Sequence, residues 1–282
     1  LVEASRRDAL RASSFGTGQL IAEALKHDAR HLLLTLGGSA CNDGGAGMLQ
    51  ALGVSLRDAG GAELERGGAA LARLHHVDLS GLDQRLQGCT FEAAVDVDNP
   101  LCGPRGASVV FGPQKGASPA QVALLDAALG HYARVLEEAT GHPATALAGS
   151  GAAGGIGFAL RCVLAAALRP GVSLVAEQVG LAAHVQGADL LVTGEGRLDG
   201  QTLHGKTPLG VARLAQAAGV PVVALGGSLG PGYEALYEQG VSAAFSLCEG
   251  PQSLAQAMAC AEQQIESRMR AIARLWRVAQ GR

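Results

Sequence analysis

The stretch ADLLVTGEGRLDGQTLHGKTPLGVARLAQAAGVPVVAL, residues 188–225, alternates short β-rich runs with a helical run at the spacing of a βαβ unit. Residues 188–193 (ADLLVT) and 221–225 (PVVAL) read as strands, and 241–247 (VSAAFSL) reads as a third. Thr207-Pro208 supplies an N-cap with proline at the first helical position, and Gly219 supplies a stop, so a helix is expected over 208–218. Parallel strands joined by helices bury both faces of their sheet, so the stretch predicts half of a doubly wound α/β fold. Three strands make a thin sheet, and further strands are expected to complete it.

Upstream, the pattern is mixed but less regular. A helix is expected near 17–28, a strand at 31–36, a Gly-rich turn, and a short helix from about Gly45. Residues 91–97 and 107–111 read as strands. The strongest helix starts at Ser118-Pro119 with Gln121 in the capping-box position, and it carries Val122, Leu125, Leu129, Tyr132 and Leu136 on one stripe. A further helix follows Gly155. Two α/β lobes meeting near residue 188 are the expectation, 1–188 and 189–282.

Composition narrows the function classes. The 282 residues are 48% hydrophobic and 17% charged, enough for a packed core and too apolar for general disorder. Net charge is −3, so no overall basic field exists to hold a nucleic-acid backbone. Arg161 and Arg169 interrupt the most apolar region, 154–176, so no run reaches the roughly 18 apolar residues of a membrane span. Six scattered cysteines without a C-x-x-C pair argue against zinc and a disulfide framework and fit reduced thiols in a cytoplasm. Glycine stands out at 41 residues, about twice the usual share, and its excess is clustered.

Four segments carry the unusual chemistry. In the first, residues 37–47 (GGSACNDGGAG), the glycines Gly37 and Gly38 with Ser39 allow a close backbone approach to an anion ahead of a helix N-terminus. Asn42 and Asp43 there could bind a hydroxyl or a Mg²⁺-bound water, or could cap the helix. The second runs from Asp96-Val97-Asp98-Asn99 to Gln114-Lys115-Gly116, where the polar side chains are plausible magnesium or sugar ligands and equally plausible turn formers. Only three lysines face nineteen arginines in the chain, yet Lys115 and Lys206 both lie in Gly-rich turns.

The third segment, 149–155 (GSGAAGG), formally matches G-x-G-x-x-G at Gly149, Gly151 and Gly154. It lacks the preceding strand and the later acidic residue of a dinucleotide site, so tight helix packing or a phosphate-facing turn fits better. The fourth, 193–208, contains a literal G-x-x-x-x-G-K-T from Gly200 to Thr207. Because the expected strand ends at Thr193, six residues early, a P-loop fold is disfavoured while an anion site at Lys206 and the following helix N-terminus is retained. Glu195 and Asp199 lie beside it; their alternative role is a salt bridge with Arg197. His204 fits a structural role as well as proton transfer.

Phosphoryl transfer needs backbone donors and a cation on the phosphates, carboxylates for Mg²⁺, and a base for the attacking hydroxyl. The four segments supply each part, and the expectation is that they converge on one cleft. The runs GGSACNDGGAGMLQALG (37–53), DVDNPLCGPRGASVVFGPQKGA (96–117), GSGAAGGIGFAL (149–160) and TGEGRLDGQTLHGKTPLGVA (193–212) resemble the motifs of the bacterial glycerate kinase family that includes the glyoxylate-pathway and glucarate-pathway enzymes.

The resemblance implies an ATP-dependent, Mg²⁺-requiring kinase of D-glycerate with 2-phosphoglycerate as product. It implies a Rossmann-like domain interrupted by a second α/β domain, with residues from about 189 forming the returning half of the first. The family also carries a strand and a D-S-F-K-G-type turn ahead of the point matched by Leu1, so a truncated front is expected. Asp43, Glu195 and Asp199 are the implied metal ligands, with Asp43 or Asp199 as the base. Lys206 and the Gly37-Gly38-Ser39 turn would hold phosphates, with Asn42, Gly151, Thr202 and Thr207 lining the substrate site and Arg197 or Lys115 pairing with glycerate's carboxylate. Cys41 stands where the family usually has threonine. A P-loop-type NTPase and a non-enzymatic metabolite-binding relative are the alternatives.

Overall fold

A computed structural model describes residues 2–203 and 207–281. His204, Gly205 and Lys206 therefore lie outside the described residues. The chain divides into two compact units, Leu1–Gly171 and Val172–Arg282. Residues 172–188, grouped by the sequence with the first lobe, pack in the second unit: Val185 joins its core, and a side chain on Gly210 would run into Val172.

In the first unit, α1 (Phe15–Lys26) leads into β1 (His31–Thr35), then α2 (Ala46–Ala51), β2 (Ser55–Arg57), β3 (His76–Asp78) and β4 (Thr90–Ala94). Next come α3 (Ala107–Phe111), α4 (Pro119–Thr140), α5 (Ala152–Leu164) and β5 (Ala167–Arg169). Strands β1, β4 and β5 form a parallel sheet in that order, with Leu32 opposite Phe91 and Ala93 opposite Leu168. An antiparallel pair, β2 and β3, lies apart from it.

Helix α4 starts as its sequence dictates. Ser118 accepts from the Gln121 amide and Gln121 reaches back to the Ser118 N–H, while Gly141 in the left-handed region ends the helix. Its stripe of Leu125, Leu129, Tyr132 and Leu136 is fully buried, and Tyr132 meets Phe158 of α5 edge-on at 5.8 Å. That contact ties two helices into a single core with β1 and β4.

One expected strand is a helix. Residues 107–111 (ASVVF) have β-rich composition, but Gly106 donates to Gly103 O and Ala107 donates to Leu101 O, closing a turn that starts α3. Val109 and Val110 then point outward while Ala107 and Ser108 are buried, so packing overrides the β propensity of the valines.

The second unit holds α6 (Gly171–Gln178, whose first residue closes the first unit), α7 (Leu181–Val185), β6 (Leu191–Leu198), α8 (Thr207–Ala217), β7 (Val222–Leu229) and β8 (Ala243–Ser246). Helices α9 (Leu254–Ala259) and α10 (Ala261–Ala279) follow. The sheet is parallel in the order β6-β7-β8, with Val192 opposite Val223 and Leu225 opposite Phe245. Strand β6 continues five residues beyond its expected end at Thr193 to Leu198, so the six-residue gap expected before Gly200 shrinks to Asp199 alone. Among the described residues, no helix is long and apolar enough to cross a membrane.

Candidate active site

Three of the four glycine-rich segments meet in the first unit, beyond the carboxyl ends of β1 and β4, where open parallel sheets place their ligand loops. The first touches the third through bare backbone: Gly44 N–H donates to Gly154 O at 2.9 Å, and Gly155 lies so close that a Cβ there would sit 2.6 Å from Gly44 Cα. Ala153, Gly154 and Gly155 all have positive φ, a left-handed break inside α5 that lets the two segments approach. The third touches the second, with Gly151 N–H donating to Asn99 O at 2.9 Å. These glycines therefore serve close packing. A Cβ on Gly154 would overlap the Cys41 carbonyl, so Gly154→Ala should destabilise the fold by about 3 kcal/mol. A drop in urea midpoint at unchanged m would register it.

Asp43 lies at the middle of this packing and is fully buried. One carboxylate oxygen accepts from Ser14 N–H at 2.7 Å, the Ser14 hydroxyl at 2.9 Å, the Ser13 hydroxyl at 3.2 Å and Gly47 N–H at 3.2 Å; the other accepts from Gly45 N–H at 3.3 Å. At the start of α2 the anion is thus Asp43 of the chain itself. Asp43 closes the start of α2 and ties it to Ser13 and Ser14 ahead of α1. Ser13 and Ser14 were not singled out from sequence, although a serine pair before an apolar helix is an N-cap signal.

Asn42 is also buried, donating its amide to Ser108 Oγ at 2.8 Å. Lys115 is only 3% exposed and donates its ammonium to Cys41 O at 2.7 Å. Burial pushes the Lys115 pKa down and drives the Cys41 thiol up to about 12, so that thiol stays protonated and unreactive. Gly37 and Gly38 are exposed and Ser39 is half-buried. Two polar groups of the second segment bond within its own loop, where Asp98 pairs with Arg105 and Asn99 donates to Arg105 O, while Asp96 accepts from the distant Gly171 N–H.

In the second unit, the end of β6 gathers a polar quartet. Thr202, fully buried, donates to Glu195 Oε1 at 2.5 Å and accepts from Asp199 N–H at 3.1 Å. Asp199 pairs its Oδ2 with Arg197 Nε at 3.1 Å and accepts Gln201 N–H on Oδ1 at 2.9 Å. The Arg197 side chain is 60% exposed, so the pair faces solvent. Gly230, which sequence reasoning missed, leaves the space the Arg197 guanidinium occupies. Thr207 opens α8 and is exposed.

Among the described residues, no group of three or more His, Cys, Asp or Glu is disposed to hold a metal ion. Mg²⁺ needs only one or two carboxylates beside substrate phosphates, and Glu195 and Asp199, joined through Thr202, have the oxygen chemistry for that. Asp43 does not fit, because its oxygens are enclosed by five donors of the chain.

The profile of the Glycerate kinase family matches residues 1–277. The chain belongs to the glycerate kinase family. Over 273 residues it is 47% identical to a glycerate kinase of Halalkalibacterium halodurans, covering 97% of this chain and 72% of that protein. It is also 47% identical over 247 residues to the glycerate 2-kinase of Escherichia coli K12, covering 88% and 65%. A crystal structure described as a candidate glycerate kinase 2 from Salmonella typhimurium LT2 superposes with a TM-score of 0.85 at 44% identity, covering all of this chain and 73% of that one. In this glycerate kinase family member, the first three motifs are packed together in one unit and the fourth forms the quartet of the other.

Proposed function

We propose that this chain transfers the γ-phosphoryl group of ATP to the 2-hydroxyl of D-glycerate, giving 2-phosphoglycerate. The observation that carries the reading is the family match across residues 1–277, and the quartet at the end of β6 is its physical counterpart. Arg197 has an exposed guanidinium suited to glycerate's carboxylate, and it takes that role in place of the enclosed Lys115. Asp199 lies beside it as the base that accepts the hydroxyl proton. In the second unit Thr207, with Lys206 preceding it, offers the α8 N-terminus to a phosphate; in the first unit the exposed Gly37-Gly38 pair and Ser39 offer backbone donors of the kind a phosphate takes. When bound through Glu195 and Asp199, Mg²⁺ would offset the charge of the phosphate oxygens. Thr202 orients the Glu195 carboxylate and holds the backbone of Asp199; Asn42, Asp43 and Gly151 hold the fold of their segments.

The test is ADP release from ATP with and without D-glycerate, the product read by ³¹P NMR. Release that depends on glycerate, with a 2-phosphoglycerate resonance, is the expected result. Equal release without glycerate would return the NTPase reading, and binding without any release would make the protein a metabolite binder.

A further inference from the structure

We propose that Lys115 is a positioning residue for ATP: its buried ammonium, bonded to the Cys41 carbonyl, holds the Gly37–Cys41 turn in the conformation that meets phosphates. This rests on the kinase reading given above. Leu36 N–H is fixed on Ala94 O and Gly44 N–H on Gly154 O. Between them, among the described residues, the 2.7 Å bond from Lys115 is the hydrogen bond that reaches the backbone of 37–41. The turn starts with two exposed glycines, Gly38 at φ +64°, so its intrinsic freedom is large.

An ammonium placed for solvent or for a ligand would be exposed, whereas this one is 3% exposed and 74 residues from its partner in sequence. A short 3₁₀ turn, Pro113–Lys115, closed by Gly116 at φ +92°, aims it inward. Burying an ammonium on a single carbonyl is costly without an opposite charge, and Asp43 supplies that charge nearby. Without the tether, the turn samples more conformations and must be ordered by ATP itself, which weakens binding more than it slows the chemical step.

Lys115→Met keeps the side chain's length and removes the donor. It should raise the KM for ATP at least tenfold, leave the KM for glycerate and kcat within about threefold, and speed limited proteolysis by proteinase K within 37–41 while α4 stays uncut. Should Lys115→Met not accumulate as folded protein, the same measurements on Lys115→Leu, which also lacks a donor, decide. A folded variant with unchanged ATP KM or unchanged cleavage at 37–41 overturns the proposal. If the wild type shows no glycerate-dependent ADP release, the kinase reading fails instead, and the proteolysis experiment still judges the tether.

Discussion

Replacing Asp43 with alanine should destabilise the protein by about 4 kcal/mol, a loss seen in the urea or thermal transition before any assay is run. Five donors converge on that carboxylate, three of them backbone N–H groups at Ser14, Gly45 and Gly47, and the residue is fully buried. Alanine leaves these donors without an acceptor where water has no access, and each such group costs about 1–3 kcal/mol, less than additively because they share one site. The buried Lys115 ammonium loses its compensating charge in the same step. Asp43→Asn retains an acceptor oxygen but introduces an amide among donors, so it should fall between wild type and alanine. The outcome separates two roles the residue type permits. A base or metal ligand would lose turnover with stability intact; a structural clasp between α1 and α2 loses stability first. Full stability with lost turnover would return Asp43 to the chemistry.

Asp43 has the same residue type and glycine-rich setting as Asp199, and only distant contacts set it apart. Its clasp partners Ser13 and Ser14 lie 30 and 29 residues away, and Lys115 reaches Cys41 across 74, separations over which side-chain spacing carries no information. By contrast, Glu195, Arg197, Asp199 and Thr202 fall within eight consecutive positions, so their proximity was legible once a strand was placed before them. Local signals also fixed α4, whose Ser118-Pro119 start and Gly141 stop are written in the residues. The three parallel strands of the second unit were located for the same reason. The extension of β6 was not, because Gly194 and Gly196 have low strand propensity; a Cβ at Gly194 would press on Leu225 O, so close strand pairing explains the residue. For α3 the error ran the other way, with valines that favour strands turned outward by a helix anchored at Ala107 and Ser108.

Asp199→Asn should lower kcat for glycerate phosphorylation about a thousandfold with no measurable change in the folding transition, the opposite signature to Asp43. The carboxylate lies at the end of β6, with its side chain 17% exposed and its partners Arg197 and Gln201 N–H within the same loop. Asparagine keeps an oxygen for Gln201 N–H, so the turn that carries Thr202 stays closed and the loss is confined to charge and basicity. A positioned general base contributes roughly 10²–10⁴ in rate, and a carboxylate that also helps hold Mg²⁺ belongs in the upper half of that range. The KM for glycerate should move less than kcat, because the proton leaves the hydroxyl in the transition state and is not shared with Asp199 in the ground state. A variant that phosphorylates glycerate at the wild-type rate removes Asp199 from the chemistry and leaves Glu195 as the carboxylate of the quartet that must supply it.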